Sequence, residues 1–255
     1  MTPPPKTNVL ETNALVKKFG GITATNAVTF ALEKGARHAL IGPNGAGKTT
    51  FINLLTGVLE PTSGRIALDG KDITATKAEA RVKMGLVRTF QINQLFSGMT
   101  PLQALGVAVS ERQGHGRDWW RVVGTKASVT DEIVEVAERF RLIDVLEERT
   151  GNLAYGKQRL LEIALAFACR PRVLLLDEPA AGVPEAERAE LLETIARLPE
   201  DVSILLIEHD MDLVFSFAKK ITVLVDGTLF ADGTVAEISN DPRVRAVYLG
   251  EGEHG

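Results

Sequence analysis

The residues from Gly42 to Thr49 read G-P-N-G-A-G-K-T and satisfy the spacing G-x-x-x-x-G-K-T in full. Glycines at these positions let the backbone N–H groups of Asn44 to Thr49 close around a phosphate. A helix opening at Lys48 directs the positive end of its dipole toward the same anion. The Lys48 ammonium is spaced to reach the β and γ phosphates of a nucleotide, and the Thr49 hydroxyl to meet magnesium. Far downstream, Val173-Leu-Leu-Leu176 ends in Asp177-Glu178. Two carboxylates at the carboxyl end of an apolar strand stand where ligands of an α/β sheet bind. Asp177 is expected to hold magnesium, directly or through water, and Glu178 to orient or deprotonate an attacking water. Such a base contributes roughly a hundredfold to ten-thousandfold in rate. The two groups together predict phosphoryl transfer from a bound nucleotide to water.

These groups need particular elements to hold them. Residues 39–41 form a short apolar run leading into the loop, and Phe51, Leu54, Leu55 and Val58 follow it at helical spacing, so strand, glycine turn and helix are predicted in that order. Residues 9–34 suggest antiparallel strands broken at Gly20-Gly21. Turns are predicted at 61–64 and at Asp69-Gly70, with a strand at 65–68 between them and a polar helical stretch after them. Residues 86–90 read as a strand ending at Gln91. From 100 to about 170 the pattern is helical, interrupted by a polar, glycine-containing insert at 110–128. Strands at 173–176 and 202–207 then alternate with helices at 185–197 and 211–219, which implies parallel strands joined by crossovers. Residues 221–225 and 228–231 flank Asp226-Gly227, a hairpin signal, and a last helix is expected at 242–248. No internal repeat is present.

Composition narrows the function classes. The chain has 255 residues, 45% apolar content and a net charge of -4, enough to bury a full α/β core. Without a dense Lys/Arg block, no nucleic-acid partner is expected. Cys169 is the single cysteine, so no internal disulfide can form, and it is expected to be a buried, inert thiol. His38, His115, His209 and His254 are scattered without ligand spacing, which argues against a zinc site. No apolar run approaches the roughly 18 to 20 residues that cross a bilayer, and the N-terminus lacks a signal-peptide core. A soluble, intracellular chain is expected. Trp119-Trp120 sit in the polar insert, where packing within the insert is the ordinary reading and a partner contact the alternative.

One segment separates this chain from other phosphate-loop proteins. Leu153 to Arg159 read L-A-Y-G-K-Q-R, about twenty residues before the Asp177 strand. With that order of motifs the chain resembles the ATP-binding subunit of an ABC transporter, and the likeness runs from Phe19 to the C-terminal 241–251 segment. The resemblance implies an α/β fold: an ABC-type P-loop ATPase with a mixed central sheet, an antiparallel β subdomain and a helical signature subdomain. It implies one domain over 8–250, with the helical subdomain at about 92–170. Tails are expected at 1–7, Pro-rich and disordered, and at 251–255, flexible. The cofactors it implies are ATP and Mg2+.

By the same resemblance, Gly42, Pro43, Asn44, Gly45, Ala46, Gly47, Lys48, Thr49 and Thr50 cradle the phosphates, while adenine stacks on Phe19. Lys48, Glu178, His209 and Gln91 form the catalytic set. His209 contacts the γ-phosphate, and Gln91 links magnesium or the attacking water to the helical subdomain. Thr49, Gln91 and Asp177 are the expected metal ligands. Ala154, Tyr155, Gly156 and Lys157 are expected to complete the nucleotide site of a neighbouring subunit.

Two departures stand out. The commonest family form of the signature is Leu-Ser-Gly-Gly-Gln, and Ala154 here removes a hydroxyl that would meet the partner's γ-phosphate. Backbone donors, the helix N-terminus and Lys157 are the substitutes. Pro184 stands where many relatives place an aspartate linking the two sites. The L-A-Y-G form, the Ala180-Ala-Gly-Val183 loop and the short C-terminal helix resemble the ATPase of branched-chain amino-acid importers. That subgroup implies a homo- or heterodimer of ATPase subunits, integral membrane permeases, an external solute-binding protein acting indirectly, and a cytoplasmic location on the inner face of the membrane. A lipid or lipopolysaccharide exporter ATPase and a non-transport ATPase of iron-sulfur assembly are the alternatives.

Overall fold

Apolar residues in strands covered on both faces give continuous runs, and those runs build the centre of this molecule. The computed structural model describes residues 7–89, 97–114 and 127–249. The chain opens with a long hairpin, β1 (Asn8–Phe19) and β2 (Ile22–Glu33), paired antiparallel with Phe19 opposite Ile22. Thr7 already takes part, its carbonyl accepting the Lys34 N–H at 2.9 Å; residues 1–6 and 251–255 of the expected tails lie outside the described residues. Then come β3 (Arg37–Ile41), α1 (Lys48–Thr56), β4 (Ser63–Leu68), a two-residue β5 (Lys71–Asp72), α2 (Ala78–Lys83) and β6 (Leu86–Arg88). Helices α3 (Pro101–Arg112), α4 (Ala127–Arg139) and α5 (Tyr155–Ala168) form the helical layer. Alternation follows: β7 (Val173–Asp177), α6 (Glu185–Ala196), β8 (Ser203–Ile207) and α7 (Met211–Phe217). The chain closes with β9 (Lys220–Val225), β10 (Thr228–Thr234), α8 (Val235–Asn240) and α9 (Pro242–Leu249).

Two sheets result. One has the order β2-β1-β4-β5 and is antiparallel; the other has the order β10-β9-β3-β8-β7-β6. In the second, β9, β3, β8, β7 and β6 run parallel and β10 pairs antiparallel at the edge, the expected mixed sheet. Side-chain alternation divides its core. Leu174, Leu176, Ile204 and Leu206 pack toward the helices. Val173, Leu175, Leu205 and Ile207 pack with Leu10, Phe30 and Phe51 beneath the antiparallel sheet.

Local chemistry sets the element ends. Thr100 and Gln103 form a capping box, with Pro101 in the first turn of α3. In α4 and just after it, Val129, Ile133, Ala137 and Phe140 bury one stripe. Helix α5 ends at Ala168, so Cys169 is half-buried where the chain turns out through Arg170 at φ 52°, less enclosed than its apolar neighbours suggest. Its Sγ lies 3.5 Å from the Leu165 carbonyl, and burial still raises its pKa. Among the described residues no helix is long and apolar enough to cross a membrane.

Candidate functional site

Strand β3 delivers the phosphate loop to the carboxyl edge of the parallel sheet. Gly47 caps α1 at φ 95°, and a Cβ there would stand 2.4 Å from the Ala24 carbonyl of β2. The loop is therefore tied to the antiparallel sheet at a spacing that only glycine fits. The β9–β10 turn fixes it from the other side: Gly227 donates to the Ala46 carbonyl at 3.0 Å and accepts from Asn26 at 2.7 Å. The sequence marked Asp226-Gly227 only as a hairpin, and this bracing role depends on a fold contact. The Lys48 ammonium donates to the Gly42 and Pro43 carbonyls at 2.6 and 3.0 Å, which holds it over the loop.

Strand β7 ends at Asp177, beside Ile207 of β8. Glu178 follows in the left-handed region at φ 46°, its N–H donating to the Ile207 carbonyl at 2.9 Å. A non-glycine residue held there carries strain of order 1–3 kcal/mol, and such strain gathers at functional sites. His209, just past β8, places Nδ1 3.8 Å from Glu178 Oε1, and both side chains remain open to solvent. Glu208, 2% exposed, takes the Ala180 N–H at 3.2 Å, so it steadies the loop after Glu178; burial raises its pKa.

Two cavities meet at this edge. One, of about 350 Å³, has Thr49, Arg88, Asp177 and Glu178 among its lining. The other, of about 430 Å³, is lined by residues 44–50, Glu178, Asp226 and Gly227. Thr49 and Glu178 line both, so the phosphate loop and the strand-end carboxylates share a wall. Amide donors and an ammonium on one side with oxygen ligands on the other can hold a phosphate chain and a hard cation together. No group of three or more His, Cys, Asp or Glu able to hold a metal occurs among the described residues. The Thr49 hydroxyl and the Asp177 carboxylate are hard-oxygen donors of the kind that suits magnesium when nucleotide phosphates and water supply the rest.

The other expected residues stand elsewhere. Phe19 is 45% exposed at the hairpin tip under the Lys17 ammonium, and its pair partner Ile22 is the one lining the loop cavity. Gln91 lies outside the described residues, as do Trp119 and Trp120. Ala154 caps α5 with no side-chain bond, and the residues from Ala154 to Lys157 line neither cavity. The Gly156 N–H donates instead to Glu187 of α6 at 2.6 Å. Lys157 is engaged within its own chain by the Arg141 carbonyl, Asp144 and Glu190. Tyr155 packs against Gly182 and under the Arg159 guanidinium, 5.3 Å from its ring centroid. Further along α5, Arg159 binds Glu162 at 2.7 Å and the Ala181 carbonyl at 3.2 Å, tying the signature helix to the loop after Glu178.

Known proteins resemble the chain in sequence and fold. Residues 25–181 match the ABC transporter family, and residues 228–254 match the branched-chain amino acid ATP-binding cassette transporter family. The high-affinity branched-chain amino acid transport ATP-binding protein LivG of Salmonella typhimurium is 41% identical over 251 residues, 95% of this chain and 98% of its own. BraF of Pseudomonas aeruginosa, described in the same words, is 40% identical over 250 residues at the same coverage. Among solved structures, the ADP conformation of an ATP-binding cassette of an ABC transporter superposes with a TM-score of 0.85 at 29% identity, covering 96% of this chain and 99% of that one. The chain belongs to the family of ABC transporter ATP-binding subunits, ATPases that power transport.

Proposed function

We propose that the chain hydrolyses ATP for an importer of branched-chain or related amino acids, acting as one half of an ATPase dimer on separate membrane permeases that an external binding protein loads. The observation that carries the reading is the shared wall of the two cavities, where Thr49 of the phosphate loop and Glu178 of the strand end meet. Likeness to LivG and BraF over 95% of the chain supports the choice of solute class.

In this reading the loop amides, Lys48 and the α1 N-terminus bind and orient the β and γ phosphates. Thr49 and Asp177 hold Mg2+, with Gln91 expected beside them, and that cation supplies charge neutralisation on the phosphates. Glu178 takes the proton of the attacking water. His209, beside Glu178, donates toward the γ-phosphate and holds the base in place. Phe19 offers its exposed ring to adenine. The Gly156 N–H, now satisfied by Glu187, is the donor turned to the nucleotide of the second subunit, at the cytoplasmic face of the membrane.

A Glu178→Gln chain should retain ATP, lose phosphate release by roughly a hundredfold to ten-thousandfold, and co-purify with integral membrane subunits. Uptake of labelled leucine should fall with it. Recovery with soluble partners alone would remove the transport reading; unaltered leucine uptake would remove the solute class and leave the ATPase assignment standing.

A further inference from the structure

The Asp177 cavity contains a cation that neither sequence motif accounts for. Arg88 is the last residue of β6, and its side chain is 15% exposed. Its guanidinium forks. Nη2 lies on Oδ2 of Asp177, and Nη1 donates to Oδ1 of Asn53 at 2.7 Å. Asn53 belongs to α1, the helix that starts at Lys48, whereas Asp177 ends β7. One side chain therefore ties the phosphate-loop helix to the carboxylate strand. The tie uses one oxygen of Asp177. Among the described residues Oδ1 of Asp177 accepts no hydrogen bond, and Thr49 lines the same cavity.

We infer that Arg88 is a positioning residue for the divalent cation, fixing the Asp177 carboxylate through Oδ2 with Asn53 as its anchor and leaving Oδ1 as the metal-binding oxygen. The inference rests on the reading of Asp177 as a cation ligand. Asp177 and Glu178 are consecutive carboxylates, and their repulsion favours rotation of the smaller group away from its neighbour. A guanidinium held at a second point opposes that rotation, because the planar fork fixes direction as well as charge. Lysine keeps the charge and loses the fork. An opposite role, Arg88 as an occupant that the cation has to displace, predicts the opposite sign when the side chain is removed.

The test is ATP binding by the full chain as Mg2+ is titrated, with a parallel measurement in chelator. Arg88→Ala should raise the half-saturating Mg2+ concentration by roughly ten- to a hundredfold, the usual effect of losing a partner that orients a metal ligand. Its ATP affinity in chelator should stay at the parent value. Asn53→Ala should shift the Mg2+ requirement in the same direction by less, and Arg88→Lys should recover part of the loss. Should Arg88→Ala fail to fold, Asn53→Ala and Arg88→Lys carry the same comparison. An unchanged or lowered Mg2+ requirement overturns the inference, as does an equal loss of ATP binding in chelator. Asp177→Asn separates the two levels: if it leaves the Mg2+ requirement unchanged, the cation-ligand reading itself fails, whereas a shift there with none in Arg88→Ala removes only the positioning role.

Discussion

Acidification from about pH 7 to about pH 5 should cost the folded chain about 2 kcal/mol through one residue, His38. The imidazole is 1% exposed on β3, with its ring centroid 5.1 Å from that of Phe30. Its Nε2 lies 2.8 Å from Thr222 Oγ1, and that hydroxyl donates to Asp232 Oδ1 at 2.6 Å. Thr222 thus has a lone pair for His38, which donates from Nε2 and stays neutral. Asp232 is further engaged by the Lys220 ammonium at 2.6 Å. Burial drives the His38 pKa from 6.5 down to about 4; Asp232 pulls it upward, Lys220 deepens the fall, and Glu33 opposes it. Between those two values the unfolded chain binds the proton and the folded chain does not. Stability is therefore complete above pH 6.5 and is lost as pH falls toward 4. The full span corresponds to about 3 kcal/mol, of which about 2 kcal/mol is gone by about pH 5.

Urea unfolding followed by circular dichroism, at several pH values on the nucleotide-free chain, measures this directly. His38→Gln keeps an amide donor for Thr222 and removes the titration. The variant should be less stable at neutral pH, and its deficit should shrink by about 2 kcal/mol by about pH 5. Glu208 works the other way, since its raised pKa adds stability as the pH falls, but it is common to both chains and cancels in the difference. Parallel pH profiles for the two chains, or a His38 resonance titrating near 6.5, would refute the reasoning.

Three further substitutions probe other links. Arg81 is 1% exposed and donates to the carbonyls of Leu54, Leu55, Thr74 and Thr76, closing the C-terminal end of α1. Arg81→Met removes all four donations, leaving the Leu54 carbonyl only the Gly57 N–H, and should lower stability by about 3 kcal/mol in urea unfolding, a loss below about 1 kcal/mol being the contrary result. Gly47→Ala places a Cβ 2.4 Å from the Ala24 carbonyl at φ 95°, so calorimetry should show ATP affinity lowered at least about tenfold while the circular dichroism spectrum is kept. Ala154→Ser supplies the missing N-cap of α5 and should stabilise the chain by about 1 kcal/mol; no gain would mean that Glu187 already satisfies that helix end.

Most of the fold is legible in the sequence because its central strands are buried on both faces and stay apolar throughout, as in Val173 to Leu176 and Ile204 to Ile207. The misses have physical causes. A strand at 228–231 is expected, yet Asp232 is engaged by Thr222 and Lys220 and β10 runs on to Thr234. The helix that follows, α8, is absent from the sequence reading; the reciprocal capping box of Thr234 and Glu237 that opens it is the signal that could have found it. Strand β5 is two residues long and carries no period to detect.

The site divides along a similar line. The phosphate loop and Asp177-Glu178 are contiguous segments, each with its own chemistry, so spacing alone exposes them. Arg88 is not, because its meaning lies in partners 35 and 89 residues away. The signature segment falls between the two cases. Its position is readable, but its available donors are not: Lys157, the side chain that could replace the missing hydroxyl of Ala154, is bound by its own chain, and Gly156 is met by a carboxylate 31 residues on. A carboxylate at a helix N-terminus and an incoming γ-phosphate compete for the same N–H groups and repel each other. In the proposed dimer, engagement of a second subunit's nucleotide by this segment would require Glu187 to leave Gly156, and the backbone of α5 would then supply what the side chains at positions 154 and 157 do not.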